Sequence, residues 1–321
     1  LDRPDEGLDG EPRWVPVLSS LTFLGGRDVP KLAVGDWIWV RAGRHPAVER
    51  VLPRATCLVR KRAHRRTEPQ PIAANVDVVF VVTTGGRDLN LARLERYVTA
   101  VRDAGARPVV VVNKVDEAHD ADTVSDILSD LPGVDGLRVS AATGLGLDDL
   151  FARVSAGATA AFVGSSGVGK STLINAFSGG AAQATRGVRD RDQKGRHTTT
   201  SRQLFASDRG ALLIDNPGVR EFGLWDADEG LEETFGDIDA LVEACRFSDC
   251  SHESEPGCAV REAIDAHVLD PERLDRYLSL QREVAREQAR AEAKDAKTRW
   301  KRIHQNVRAR RAFNRKHGLK D

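Results

Sequence analysis

Methionine is absent from the 321-residue chain, which has only two tyrosines and four cysteines. With no methionine, the initiator residue and any leader joined to it are expected to lie outside this sequence. Four cysteines are too few for a disulfide scaffold, so these thiols are read as free or metal-binding. No stretch of about eighteen apolar residues occurs, so no membrane-spanning helix is expected within this sequence, and residues 1–13 carry no apolar signal core. A soluble, cytoplasmic protein with no membrane partner is expected. Charge of one sign is not in excess either, since 48 Lys and Arg balance 48 Asp and Glu. Net charge therefore excludes no partner, and the distribution of charge has to be read instead. The length allows two or three domains.

What is present is organised around residues 160–177. The apolar run Ala160-Ala161-Phe162-Val163 predicts a strand, and Leu173-Ile174-Asn175-Ala176-Phe177 lies in a following helix. Between them, Gly164-Ser165-Ser166-Gly167-Val168-Gly169-Lys170-Ser171 matches G-x-x-x-x-G-K-S, with Thr172 next. Glycines let the backbone curl around phosphates so that successive N–H groups form an anion nest. The helix that starts there adds its positive dipole end. Lys170 is placed to meet the β- and γ-phosphates, and the Ser171 hydroxyl to ligate Mg²⁺.

The base is read upstream. Pro108-Val109-Val110-Val111-Val112 has the unbroken β-branched character of a strand buried on both faces. It runs into Asn113-Lys114-Val115-Asp116, an N-K-x-D motif. The Asp116 carboxylate can accept from the ring N–H and the exocyclic amine of guanine, while the stem of Lys114 lies over the base. Adenine lacks that donor pair and is expected not to compete. Leu137-Arg138-Val139 followed by Ser140-Ala141-Ala142 supplies the strand and loop that back guanine. After the P-loop come His197-Thr198-Thr199 and Asp215-Asn216-Pro217-Gly218, a D-x-P-G turn suited to sensing the γ-phosphate. One of Thr198 and Thr199 is expected to join Ser171 on Mg²⁺. In an ordinary small GTPase the phosphate loop comes first. Here the base reader precedes it by about fifty residues, so the motifs run 4-5-1-2-3. A doubly wound sheet tolerates such a permutation when its natural ends lie close together.

The flanks carry a different chemistry. Residues 1–13 read as a mobile leader. Residues 14–71 read as short strands and turns, and thus a small OB-like barrel. Arg41, Arg44, Arg50, Arg54, Arg60, Lys61, Arg62, Arg65 and Arg66 cluster there almost without acids, the pattern of an RNA-binding face. Trp37 and Trp39 are expected in its core, and Cys57 as a buried strand residue. Residues 72–225 form the alternating β and α units of the nucleotide domain, with Ile72–Asp77 as its link to the barrel. Residues 179–196 are a polar switch segment. Residues 226–321 form a helical domain, helical over Val260–Ala289 with Pro271 marking a helix start after Leu269-Asp270, and basic from Lys294 onward, with Trp300 and Phe313 interleaved as for RNA contact. Within it Cys245, Cys250, His252 and Cys258 offer three thiolates and one imidazole in C-x₄-C-x-H-x₅-C spacing. That set suits a closed, tetrahedral, structural zinc site, although the spacing is not that of a common finger.

The permuted motif order, the basic β domain before it and the cysteine cluster after it together resemble the circularly permuted, small-ribosomal-subunit-dependent GTPases of bacteria, the RsgA or YjeQ family. The resemblance covers nearly the whole chain. It implies a monomeric GTP hydrolase that docks on the small ribosomal subunit and its rRNA, acts late in subunit maturation, and is stimulated by the subunit, with hydrolysis to GDP driving release. It also implies one structural zinc ion. A second reading is a GTP-gated rRNA-binding module whose hydrolysis is incidental. Ras-like GTPases carry a glutamine after the D-x-x-G turn to orient the attacking water. This chain has Val219 there. A valine cannot hold water, so His197, in the switch segment, is the candidate for that catalytic role beside Lys170, and the resemblance points to the same histidine.

Overall fold

The computed structural model describes residues 32–41, 47–60, 70–117, 121–177, 203–215, 227–290 and 292–293. Its N-terminal elements are β1 (Ile38–Arg41), β2 (Ala47–Val51), β3 (Cys57–Arg60) and β4 (Gln70–Ala74). The nucleotide domain contributes β5 (Val78–Thr84), α1 (Leu91–Asp103), β6 (Arg107–Asn113), α2 (Ala121–Ser129), β7 (Asp135–Arg138), α3 (Leu147–Ala152), β8 (Thr159–Val163), α4 (Lys170–Phe177), β9 (Gln203–Ala206) and β10 (Leu212–Asp215). Three helices follow: α5 (Asp228–Glu243), α6 (Ala259–Asp265) and α7 (residues 271–290). The leader, the switch segment, residues 216–226 and the basic tail lie outside the described residues.

The central sheet has six strands in the order β7-β6-β5-β8-β10-β9. All neighbours are parallel except the antiparallel edge pair β9–β10, a hairpin. Strand residues alternate between two cores, as the period-two pleat requires. Val79, Val81, Val110, Ala161 and Val163 face α1, α5 and α7, whereas Val78, Phe80, Val82, Val109, Val111, Ala160 and Phe162 face α3 and α4. Both faces are covered, so the strands carry no polar alternation. On the second face Phe80, Phe151, Phe162 and Phe177 form a ring cluster with centroid separations of 4.5–5.8 Å.

Parallel strands place all their C-terminal ends at one edge, which is where a doubly wound sheet binds its ligand. Helix α1 starts there. Asn90 caps it by accepting from the Arg93 backbone N–H at 2.9 Å, and its buried stripe includes Leu94, Val98 and Val101. The helical stretch Val260–Ala289 divides in two, with a new helix starting at Pro271 as expected. The Val268 and Leu269 N–H groups both turn back to Ala263 O, His267 adopts φ 58°, and α6 ends. Asp270 then caps α7, its carboxylate accepting from Glu272 N at 3.0 Å, with Pro271 in the first turn where its missing N–H costs nothing.

At the N-terminal side, β3 and β4 pair antiparallel, and Leu58 and Ile72 are sealed into the α1-facing core. Ile72–Ala74 therefore belongs to a strand and not to a link. Asn75 (φ 54°) donates to Gly35 O and accepts from Ala55 N, closing this unit on itself. Two core assignments need correction. Trp37 and Trp39 are 64% and 62% exposed, because β1 pairs only with β2 among the described residues. Cys57 is half-buried, with Arg54 donating to its sulfur at 3.6 Å. The remainder of the expected barrel lies outside the described residues.

The C-terminal helices seat on α1 through buried charge. Glu95, fully enclosed, accepts from Arg273 at 3.1 Å and from Arg276 at 2.7 Å. Arg273 also donates to Asp237 on α5 at 2.7 Å, and Arg96 pairs with Glu283. Burial pushes the Glu95 carboxyl up, and the two guanidiniums pull against it. Removing one member of such a set strands the others without a partner. Glu95→Ala is expected to cost about 3–5 kcal/mol. Glu232→Ala, at an exposed position of α5, is expected to stay within about 0.5 kcal/mol. Denaturant midpoints of the two variants check this.

Candidate nucleotide site and metal centre

The P-loop connects β8 to α4 at the C-terminal edge of the sheet. Gly164, Gly167 and Gly169 adopt φ of 134°, 85° and 95°, a region closed to most side chains. Close approach imposes glycine a second time. A Cβ on Gly164 would stand 2.0 Å from Val82 O, and one on Gly169 would stand 2.3 Å from Asn113 Nδ2. Lys170 Nζ donates to Gly164 O at 2.8 Å and Ser165 O at 2.6 Å, which fixes the ammonium over the loop. Ser166, Gly167, Ser171 and Thr172 are exposed there, and Val168 is buried beneath them.

The base-reading segment leaves β6 beside the P-loop. Asn113, 1% exposed, donates through Nδ2 to Val168 O at 2.8 Å and accepts at Oδ1 from Ala141 N at 3.1 Å. One carboxamide thus ties the N-K-x-D turn, the phosphate loop and the Ser140–Ala142 loop together. Lys114 follows with φ 63°, and Val115 N donates to Val139 O at 3.2 Å. The turn brings Asp116 out to the surface. Ser140 is buried and serves its own loop, accepting at its hydroxyl from Thr143 N at 3.1 Å. Asp215 is buried at the end of β10, paired in register with Phe162 of β8. His197, Thr198, Thr199 and Gly218 lie outside the described residues.

A second site lies between α5 and α6. The ligand atoms of Cys245, Cys250, His252 and Cys258 all fall within 4.8 Å of one another. Cys245 Sγ and Cys258 Sγ are 3.9 Å apart, and each is 3.5–3.6 Å from His252 Nδ1. Tetrahedral zinc with bonds of ~2.3 Å to sulfur and ~2.1 Å to nitrogen requires edges of about 3.6–3.8 Å. Donor set and spacing therefore fit such an ion, with Nδ1 as the histidine ligand. Burial raises the Cys250 thiol, and its neighbours Cys258 and Cys245 take it further, to about 11. Burial opposes ionisation of Cys245 too, but the N–H groups of Val260 and Ala259 outweigh it and hold that thiol below the ordinary value. Crowded thiolates of this kind are relieved by a bound cation. Glu255 organises the loop between the ligands, accepting from Ser251, Glu253 and Ser254 N–H groups and the Ser251 hydroxyl. Those bonds, led by the Ser251 side chain, hold its carboxyl at about 2.

Sequence reasoning missed three features of these sites: the tie made by Asn113, the Glu255 hub, and Arg93 of α1, which donates to Ser165 Oγ at 3.1 Å. Arg93 and Ser165 are 72 positions apart, so no local pattern connects them.

Comparison with known proteins adds the lineage. The family model described as RsgA GTPase matches residues 51–225, and one described as 50S ribosome-binding GTPase matches residues 159–292. The second match begins at the P-loop strand, where an unpermuted GTPase begins. The chain is 47% identical over 271 residues to the small ribosomal subunit biogenesis GTPase RsgA of Streptomyces coelicolor, covering 82% of this chain and 74% of that one. It is 45% identical over 276 residues to the protein of the same name from Methanosarcina acetivorans, covering 84% and 74%. Among solved structures, YjeQ from Thermotoga maritima aligns with a TM-score of 0.58 at 25% identity, covering 84% of this chain and 88% of that one. YloQ, a circularly permuted GTPase, aligns with a TM-score of 0.56 at 26% identity, covering 79% and 81%.

The double demand on Gly169 generates a test. Gly169→Ala strains the backbone and pushes Asn113 off Val168 O. Guanine-nucleotide affinity is expected to fall at least about 100-fold, the loss of two or more charge-assisted hydrogen bonds, as measured by titration with a fluorescent GDP.

Proposed function

The chain belongs to the RsgA GTPase family, and from that premise we propose that it hydrolyses GTP during maturation of the small ribosomal subunit, docking on the subunit and its rRNA. The observation that carries this reading is the Asn113 carboxamide, bonded to Val168 O and Ala141 N. In a chain whose motifs run in permuted order, it joins the segment suited to guanine with the segment suited to phosphates. Asp116 selects guanine, Lys114 and Ser140–Ala142 flank the base, and Gly164–Thr172 with Lys170 receive the phosphates. Mg²⁺, held by Ser171 and one of Thr198 and Thr199, would neutralise charge on the β- and γ-oxygens. Asp215 and Gly218 bracket the turn that senses the γ-phosphate. His197 orients the attacking water, since Val219 cannot.

We divide the chain into a leader (1–13), an OB-like RNA-binding domain (14–71), the GTPase domain (72–225) and a helical domain with a basic tail (226–321). In the second of these, the exposed Trp37 and Trp39 share a ribbon with Arg41 and Arg50, and Trp39 pairs with Arg50 across it. Aromatic faces beside guanidiniums suit stacking on unpaired RNA bases. Among the described residues no helix is long and apolar enough to cross a membrane.

The test is GTP turnover with and without purified small subunits. Slow basal hydrolysis, strong acceleration by subunits, and loss of that acceleration in His197→Ala with GDP affinity retained are expected. No acceleration of the parent would make the protein a GTP-gated RNA binder instead. Equal displacement of GDP by ATP would remove the guanine assignment.

The metal is assigned as zinc on the Cys₃His donor set. One equivalent is expected to copurify, and Cys250→Ser to lose it along with the order of the α5–α6 junction. Zinc binding supplies roughly 10–16 kcal/mol of folding free energy in small finger peptides. The P-loop helix packs in the core on the opposite face of the sheet, away from the cysteines, so nucleotide affinity is expected to change less than about threefold. Elemental analysis and GDP titration check the two halves.

A further inference from the structure

Arg93 stands on the first turn of α1 and reaches two elements with one guanidinium. Nη1 donates to Ser165 Oγ at 3.1 Å, and Nη2 pairs with the Asp88 carboxylate at 2.7 Å while also donating to Asp88 O. Asp88 is held in turn by Thr83, which is buried at the end of β5 and donates to its carboxylate at 3.0 Å. The backbone N–H of Arg93 is fixed by Asn90. The arginine is thus locked at both ends before it touches the P-loop.

What it touches is one of the residues that locate Lys170. Ser165 O accepts from Lys170 Nζ at 2.6 Å, and the Ser165 hydroxyl accepts from Arg93. The helix that carries Arg93 is itself pinned within its next turn, at Glu95 and Arg96, by α7.

We propose that Arg93 is a positioning residue for the P-loop lysine: by holding Ser165 it fixes the carbonyl that aims Lys170 at the β- and γ-phosphates. This rests on the GTPase reading above. Arg93 does not touch the nucleotide; it acts through Ser165. A planar fork is needed, because two partners lie in different directions and the point charge of a lysine serves only one of them.

The experiment compares the full chain with Arg93→Ala, Arg93→Lys, Ser165→Ala and the double variant Arg93→Ala/Ser165→Ala. Single-turnover GTP hydrolysis, KM, GDP affinity and thermal midpoint are read for each. A misplaced catalytic group costs rate before it costs binding, so Arg93→Ala is expected to lower kcat about tenfold and move KM less than about threefold. Ser165→Ala and Arg93→Lys are expected to match each other in kcat at unchanged thermal midpoint. The double variant is expected to be no slower than Arg93→Ala, since both remove the same link. If Arg93→Ala does not fold, the matched pair Ser165→Ala and Arg93→Lys decides. Additive losses in the double variant, or a lower thermal midpoint with kcat per folded molecule unchanged, overturn the relay alone. A parent chain that binds no guanine nucleotide overturns the GTPase reading, and the relay with it.

Discussion

A single buried carboxamide stands where three segments of this chain meet. Asn113 ends β6, yet its side chain is used up on the backbone of two other loops, Val168 O on one side and Ala141 N on the other. Unmet amide groups at such depth cost about 1–3 kcal/mol each, so each loop is held in the position that satisfies the amide. Gly169 is required as glycine for the same reason, because the amide occupies the space where its Cβ would be. The permutation of the chain is tolerated on the same basis. Contacts that cross between segments do not depend on which segment comes first, and the sheet order β7-β6-β5-β8-β10-β9 brings β6 and β8 to either side of β5.

Helix α1 is the second organising element, because it belongs to both halves of the molecule. Its apolar stripe covers one face of the sheet, and its charged residues receive the C-terminal helices. Arg93 at its start reaches the phosphate loop, and Arg102 in its last turn donates to Glu233 O on α5 at 2.7 Å.

Much of this was legible in the sequence where the constraint is local. The P-loop needs glycines at fixed spacing, and the buried strands need unbroken β-branched runs. Pro271 after Asp270 marked the start of α7, and four metal-ligating side chains within fourteen positions marked a metal centre. What escaped depends on contacts between distant residues. Glu95 reads as one charge among the many on an amphipathic helix, and only its arginines, 178 and 181 positions away, make it a buried anchor. Trp37 and Trp39 read as core by hydrophobicity, but among the described residues β1 pairs only with β2 and both rings are exposed. Pro271 announced the new helix, but nothing local announced where α6 stops, because His267 takes its left-handed backbone without being a glycine.

The distance between Glu95 and its partners also orders events as the chain is made. Synthesis proceeds at about 5–20 residues per second, and domains fold as they emerge. The strands of the sheet, ending at Asp215, and helix α1 are all complete before Arg273 is joined to the chain. For the roughly three to twelve seconds needed to extend the chain from Asp215 to Arg273, therefore, Glu95 is a solvated carboxylate on a helix already resting on its sheet. The face it occupies carries water and one negative charge until α7 arrives with two positive ones. The long-range contacts of α7 are among those that close late, and they desolvate this charge, so the sheet that carries the nucleotide edge is complete while the C-terminal helices are still undocked.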